Sequence, residues 1–272
     1  MSHPTLLNKI LDYWNRRLFR RRLYQQGQLI EASQQPAVIF APHQDDETFG
    51  CGGVIALKRR QGIPVKVVYL TDGRNCYFGC PMPVPIAAEE CIQMRQQEAL
   101  KALHTLGVEA ADVVFLNYED SKLGDLQGKQ RQTAIAELQN LLHQFAPQEV
   151  YVPYYNDMHS DHIETFYLVK DAIARWNASV DVWQYLIWSL WRYEHLDELV
   201  ANQFANLYKV AIAPVQQQKQ DAIQAYRSQL LPIVGNFRAL PKTFLSFFNS
   251  APYELFVKIA PDYRSSIMTN SR

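Results

Sequence analysis

The chain has 272 residues, 48% of them hydrophobic, enough to bury a full core in one large domain or two small ones. Lys plus Arg number 27 and Asp plus Glu number 27, so the formal net charge is zero and bulk charge argues against a nucleic-acid partner. No apolar run approaches a bilayer span, and the N-terminus lacks the apolar stretch and small-residue cleavage site of a signal peptide, which points to a cytoplasmic protein.

The first segment, residues 6–32, stands apart. Leu6, Leu7, Ile10, Leu11, Trp14, Leu18 and Phe19 recur at helical spacing while arginines crowd positions 16–22. Such a basic amphipathic helix can lie on an anionic membrane surface, or pack on its own domain with the arginines in water. Residues 1–34 are accordingly read as a helical extension and 35–272 as one domain. The pattern then alternates. Strands are predicted at 37–42, 65–70, 112–117 and 149–154, with helices at 48–61, 87–106, 129–145 and 161–176 between and after them. This spacing predicts βαβ units, a Rossmann-like α/β fold whose mostly parallel sheet is sandwiched by helices. Beyond residue 180 the text becomes a C-terminal elaboration. "VDVWQYLIWSLWRY" is aromatic and strand-like, "NLYKVAIAP" reads as a further strand and "VQQQKQDAIQAYRSQLL" as one helix. A Phe- and Pro-rich tail follows. Cys51, Cys76, Cys80 and Cys91 do not form the even pattern of a disulfide scaffold. Cys76 and Cys80 are close enough in sequence to bridge or share a metal, but simple thiols are the plainer expectation.

In open α/β sheets ligands bind beyond the carboxyl ends of the strands. His43, Asp72, Asp120 and "YYNDMHSDH" each follow a predicted strand, so all four fall on one rim. His43 and Asp46, three apart across a tight turn, can reach one ion. In "HSDH", His159 and His162 open the next helix, and one of them can supply a third ligand. Two histidines and a carboxylate with an open position suit a catalytic zinc ion, which acidifies water and polarises a carbonyl. Asp45 is then free as general base and the second histidine as acid to a leaving amine. The glycines of "GCGG" form no dinucleotide fingerprint; they suit a close approach of the helix to the sheet.

"PHQDDETFGCGG" together with "HSDH" resembles the LmbE-like (PIG-L) de-N-acetylases, zinc hydrolases acting on N-acetylglucosamine-containing molecules. "VVYLTDG", "MRQQEALKALHTLGV", "VFLNYEDSKL" and "KQDAIQAYRSQ" extend the likeness over most of residues 37–230. The resemblance implies that His43, Asp46 and His162 hold Zn2+, or another divalent ion such as Fe2+, and that Asp45 is the general base. It gives His159 the oxyanion or the leaving amine, Asp120 the orientation of His159, and Arg95 a substrate contact. The implied substrate is a small-molecule or lipid-linked amino sugar; the basic N-terminal helix, where it lies on a membrane rather than on its own domain, favours the lipid-linked kind. The chain departs from the pattern at Gln44, where proline is commonest, and at Tyr226, where histidine is frequent. It departs again at Asp157–Met158, where some members carry a tyrosine loop. Glu47 is left unplaced, suiting either favourable charge at the helix start or support of the residues around the ion. Two other functions fit the same rim. A phosphoesterase would want two metals and more ligands. A carbohydrate-binding module would use Trp183, Tyr185, Trp188, Trp191 and Tyr193, aromatics that equally suit a core.

Overall fold

Alternation of short apolar runs with amphipathic stretches produces a single eight-stranded sheet covered by helices, seen in a computed structural model. The structure describes residues 6–259 apart from 78, 84–85, 193–195, 203 and 233. In chain order the elements are α1 (Leu6–Gln26), β1 (Gln28–Ile30), β2 (Ala37–Ala41), α2 (Asp46–Arg60), β3 (Val65–Thr71), α3 (Ala88–Thr105), β4 (Val113–Tyr118), α4 (Gly128–Phe145), β5 (Glu149–Pro153), α5 (Ser160–Trp176) and β6 (Asp181–Tyr185). The elaboration adds α6 (Trp188–Trp191), α7 (Asp197–Ala201), β7 (Leu207–Ala211), α8 (Gln216–Ile223), α9 (Arg227–Leu230), α10 (Lys242–Asn249) and β8 (Tyr253–Lys258).

The strand order is β1-β7-β8-β6-β5-β2-β3-β4, and every pairing is parallel except the two made by β8. All five residues of β2 are buried because both faces are covered. Ala37, Ile39 and Ala41 face the layer formed with α2, α3 and the C-terminal elaboration, whereas Val38 and Phe40 face α4 and α5. From β2 the chain proceeds outward through β3 and β4; β5 returns to the other side of β2 and the chain continues to β6. The order therefore reverses between β2 and β5, and the crevice for a ligand lies beyond their carboxyl ends.

Four features differ from the sequence reading. The N-terminal helix ends at Gln26, and Gln28–Ile30 then pairs with β7 instead of continuing the helix. The aromatic run splits into β6 and the single turn α6. The long helix expected over 215–231 breaks into α8 and α9, with Tyr226 at φ −79°, ψ 60° between them. Finally, the Phe-rich tail holds an unforeseen strand, β8, wedged antiparallel between β6 and β7. The helix α1 lies on its own domain, but two of its arginines turn inward. The Arg16 guanidinium stacks on Trp191 at 4.1 Å and donates to its carbonyl at 2.6 Å, and Arg20 does the same with Phe247 at 4.3 and 2.9 Å. The four cysteines are free thiols, and Cys76 packs with Cys91 and Tyr77 rather than pairing with Cys80.

The glycines of α2 permit the close approach expected of them. A Cβ on Gly50 would stand 2.5 Å from a ring carbon of Tyr185, whose hydroxyl is anchored on the Phe40 carbonyl at 2.9 Å. A Cβ on Gly53 would stand 2.3 Å from Ile212. Helix propensity alone favours alanine over glycine by about 1 kcal/mol. Overpacking against the anchored ring outweighs that gain, so Gly50→Ala is expected to destabilise the protein by roughly 1–3 kcal/mol. A lowered midpoint in thermal or urea unfolding checks this; a raised one contradicts it.

Candidate metal centre

The loop after β2 carries the site. Asp45 and Asp46 are consecutive yet aim their carboxylates at different partners, which the backbone achieves by holding Asp45 at φ 147°, ψ −26°. A side chain at such a φ is strained, and strain of this kind is characteristic of functional turns. Asp46 Oδ2 is the centre of the cluster. It accepts the His43 backbone N–H at 3.0 Å and lies 3.2 Å from His43 Nδ1 and 3.2 Å from His162 Nε2. Ligand atoms sharing one ion at first-row metal distances stand roughly 3–3.5 Å apart, so this separation fits a common cation.

The outer nitrogens of both rings are held by carboxylates. His43 Nε2 faces Asp161 Oδ2 at 3.2 Å and Asp120 Oδ1 at 3.3 Å, while His162 Nδ1 faces Asp157 Oδ2 at 2.7 Å. Those carboxylates are themselves fixed. Asp161 accepts the backbone N–H groups of Ser121 and Leu123 at 2.7 and 3.3 Å. Asp120 accepts the Asn75 N–H and the Ser121 hydroxyl, each at 3.1 Å. Asp157 accepts from Ser189 N at 2.5 Å and Trp188 N at 3.3 Å, tying the aromatic α6 to His162. With N–H groups donated outward, the lone pairs of His43 Nδ1 and His162 Nε2 converge on Asp46, the carboxylate–histidine–metal arrangement. The buried His162 Nε2 makes no hydrogen bond, as an atom reserved for an ion would not. The residues present therefore fit a divalent metal.

Charge supports the same fit. Burial pushes the His43 imidazole down, but Asp120, Asp161 and Asp46 together hold it well above its ordinary range. Burial likewise lowers His162, and Asp46 and Asp157 overcome it to reach about 9. Burial raises Asp46, yet the two histidines hold it well below the usual carboxylate range. These carboxylates draw positive charge to the two rings, and a cation satisfies that demand. Asp157→Asn is expected to weaken divalent-ion affinity by about 10- to 100-fold, read by competition with a chromophoric chelator; unchanged affinity would sever Asp157 from the centre.

His159 is placed differently. As N-cap of α5 its Nδ1 accepts the Asp161 N–H at 3.2 Å, so its proton sits on Nε2. Burial and then the neighbouring His43 and His162 lower it to about 4, leaving a neutral ring with a donor to offer. Its ring lies 4.7 Å from that of His43. Donor atoms of His43, His159 and His162 all fall within 4.8 Å of one another, and the same holds for His43, Asp120 and Asp161. Capping argues against His159 as a ligand, and the hydrogen bonds already held by Asp120 and Asp161 argue against the second trio.

Asp45 and Arg95 form a separate pair. The buried Arg95 guanidinium stands 3.3 Å from Asp45 Oδ1 and donates to the Gln44 carbonyl. Gln44, in the place of the commoner proline, donates to the Thr71 carbonyl at 2.7 Å. Burial raises the Asp45 carboxyl and Arg95 partly offsets it, leaving it at about 7. Asp45, Arg95, His43, Asp46, Asp120 and His159 all line one cavity of about 150 Å3, whose opposite wall includes Trp188, Leu240 and Phe244. The structure thus brings together all seven residues singled out in the sequence except that His162 lies beneath the lining. Asp120 contacts His43 rather than orienting His159. Asp157 and Asp161 were missed as participants, although both sit within the motif "DMHSDH".

A mostly parallel sheet covered by helices, with a histidine–carboxylate cluster at the switch point, defines an α/β protein with a candidate metal centre. The model of the GlcNAc-PI de-N-acetylase (PIG-L) family matches residues 38–173, half of the chain, and the chain belongs to that family. Among solved structures it is similar to an N,N'-diacetylchitobiose deacetylase from Pyrococcus horikoshii, at 20% identity over 95% of this chain and 94% of that one, with a TM-score of 0.60. It is also similar to the zinc-inhibited form of the teicoplanin deacetylase Orf2, at 16% identity over 83% and 98% and a TM-score of 0.59. A 4-carboxy-2-hydroxymuconate hydratase from Pseudomonas putida matches at 17% identity over 84% and 97%, with a TM-score of 0.60. Likeness at these identities shows the fold, which hosts more than one chemistry.

Proposed function

We propose that the protein hydrolyses the N-acetyl group of an N-acetylglucosamine-like unit, using a divalent ion held by His43, Asp46 and His162. The observation that carries this is the convergence of His43 Nδ1, Asp46 Oδ2 and His162 Nε2, each nitrogen 3.2 Å from the shared oxygen, with Asp45 beside them lining the cavity. When bound, an ion such as Zn2+ or Fe2+ polarises the amide carbonyl and lowers the pKa of water. Asp45 accepts the proton of the attacking water, and Arg95 holds its carboxylate in place. The neutral His159 donates its Nε2–H to the carbonyl oxygen as negative charge develops there. Asp45 then returns its proton to the departing amine. Arg95 lies behind Asp45 in this reading, so it acts on the base more directly than on the sugar.

Membership of the de-N-acetylase family and similarity to two deacetylases support amide hydrolysis over the hydratase and phosphoesterase readings. The small cavity suits the acetamido end of a substrate whose remainder lies outside, free or lipid-linked. Among the described residues no helix is long and apolar enough to cross a membrane. The outward face of α1 nevertheless presents Trp14 at 53% and Leu18 at 60% exposure beside exposed Arg17 and Arg21, a combination suited to an anionic bilayer surface. Co-sedimentation with phosphatidylserine vesicles that is unaffected by charge reversal of Arg17 and Arg21 would refute that contact. The test of function is a screen of acetylated amino-sugar glycosides with metal-reconstituted protein, scored by released amine. Asp45→Asn serves as control, and the absence of amine from every member would overturn the reading.

A further inference from the structure

The third acid of the β2–α2 turn, Glu47, is fully buried and holds no position in the metal cluster. Its Oε2 accepts the backbone N–H of Asp45 at 3.1 Å. Its Oε1 accepts two hydroxyls, from Thr48 and from Tyr226. Tyr226 comes from the far end of the chain and is itself fully buried. It occupies the break between α8 and α9, outside helical geometry, which is where its hydroxyl can reach Glu47. The chain thus crosses 179 residues to grip the carboxylate that holds the strained Asp45 amide. From the other side, the Asp45 carbonyl accepts the N–H groups of Thr48 and Phe49 at 3.1 and 3.0 Å. Both faces of the Asp45 peptide frame are pinned: Lys219, Phe244 and Phe248 of the C-terminal elaboration reach Phe49 on its carbonyl side, and Tyr226 reaches the Asp45 amide through Glu47.

We infer that Tyr226 and Glu47 are positioning residues: together they fix the Asp45 backbone at φ 147°, so that its carboxylate points into the cavity while Asp46 turns to the metal cluster. The inference rests on the reading of Asp45 as general base. A phenol suits the task because it donates one hydrogen bond to Glu47 without adding a second positive charge near the centre, as a protonated histidine at this position would. A free carboxylate can accept all three bonds at once; a glutamine at position 47 can accept on one side only. Asp45 would otherwise relax toward an ordinary φ, and a displacement of about 1 Å at a reacting group costs on the order of a hundredfold in rate.

The test uses full-length, metal-loaded Tyr226→Phe and Glu47→Gln proteins, with metal content and far-UV circular dichroism as checks that fold and centre persist. Two readouts are taken. Amide hydrogen exchange at Asp45, followed by NMR, is expected to accelerate by about tenfold or more in both variants while amides of β2 stay protected, since only the local anchor is lost. In amine release, kcat is expected to fall by about 10- to 100-fold with KM little changed. Adding Tyr226→Phe to Asp45→Asn is expected to cost nothing further, because both act on one group. Unchanged Asp45 exchange overturns the inference whatever the activity. So does a Tyr226→Phe penalty that persists undiminished in the Asp45→Asn background, as a merely structural loss would. A wild-type protein inactive on every amide refutes the proposed function instead and leaves the exchange result to decide the positioning. Should Tyr226→Phe fail to fold, Glu47→Gln and Tyr226→His carry the same two readouts, and His, which retains a donor, is expected to fall between Phe and wild type.

Discussion

Asp45→Asn is expected to lower amine release by roughly 10²- to 10⁴-fold while the protein keeps its divalent ion, the span over which a positioned general base contributes. Asn preserves shape and hydrogen bonding but takes no proton. Asp45 lines the cavity, and Arg95 rather than a histidine is its ionic partner, so its loss leaves the His43–Asp46–His162 cluster standing. Arg95 supplies a second arm. It lowers the Asp45 carboxyl against the upward push of burial, so Arg95→Met raises the pKa of the base. The base works deprotonated; the acid limb of kcat/KM against pH therefore moves to higher pH in Arg95→Met. Full activity in Asp45→Asn, or an acid limb that moves downward in Arg95→Met, would contradict the assignment.

Asp46→Ala is expected to reduce divalent-ion affinity by at least about a hundredfold, more than any outer carboxylate removes. One oxygen of Asp46 stands 3.2 Å from both ring nitrogens and also accepts the His43 amide, so its removal takes away a ligand and loosens a second. His159→Ala provides the contrast. Because its Nδ1 caps α5, it is expected to retain the ion while losing activity through the missing donor to the carbonyl oxygen. Equilibrium dialysis with metal analysis of the two variants decides between ligand sets. Loss of the ion from His159→Ala with retention in Asp46→Ala would install the three histidines as the centre.

Much of this was legible in the sequence, for identifiable reasons. The strands β2 to β5 announce themselves because a parallel strand covered on both faces must be apolar throughout, as "AVIFA" is. The site was legible because the residue types that ligate and transfer protons stand immediately after those strands. What stayed hidden depends on contacts between distant segments. Gln28–Ile30 is three residues long and largely exposed, with no periodicity to reveal it. The strand Tyr253–Lys258 lies in a Phe-rich tail and is fixed by pairing with β6 and β7, which no local pattern encodes. The break at Tyr226 carries neither glycine nor proline; the buried Glu47 is what its hydroxyl meets there. The parts of Asp157, Asp161 and Asp120 depend on the ring each carboxylate faces, His162 for the first and His43 for the other two, and spacing along the chain does not display that.

The most direct test of the central claim is a titration of metal-free protein with Zn2+ or Fe2+, following bound ion per chain and amine release from an N-acetylated amino sugar in the same samples. The account predicts that activity rises in step with occupancy and saturates at about one ion per chain, the number a single two-histidine, one-carboxylate centre accepts. Activity independent of metal, or saturation at two ions with no amine released, would contradict it.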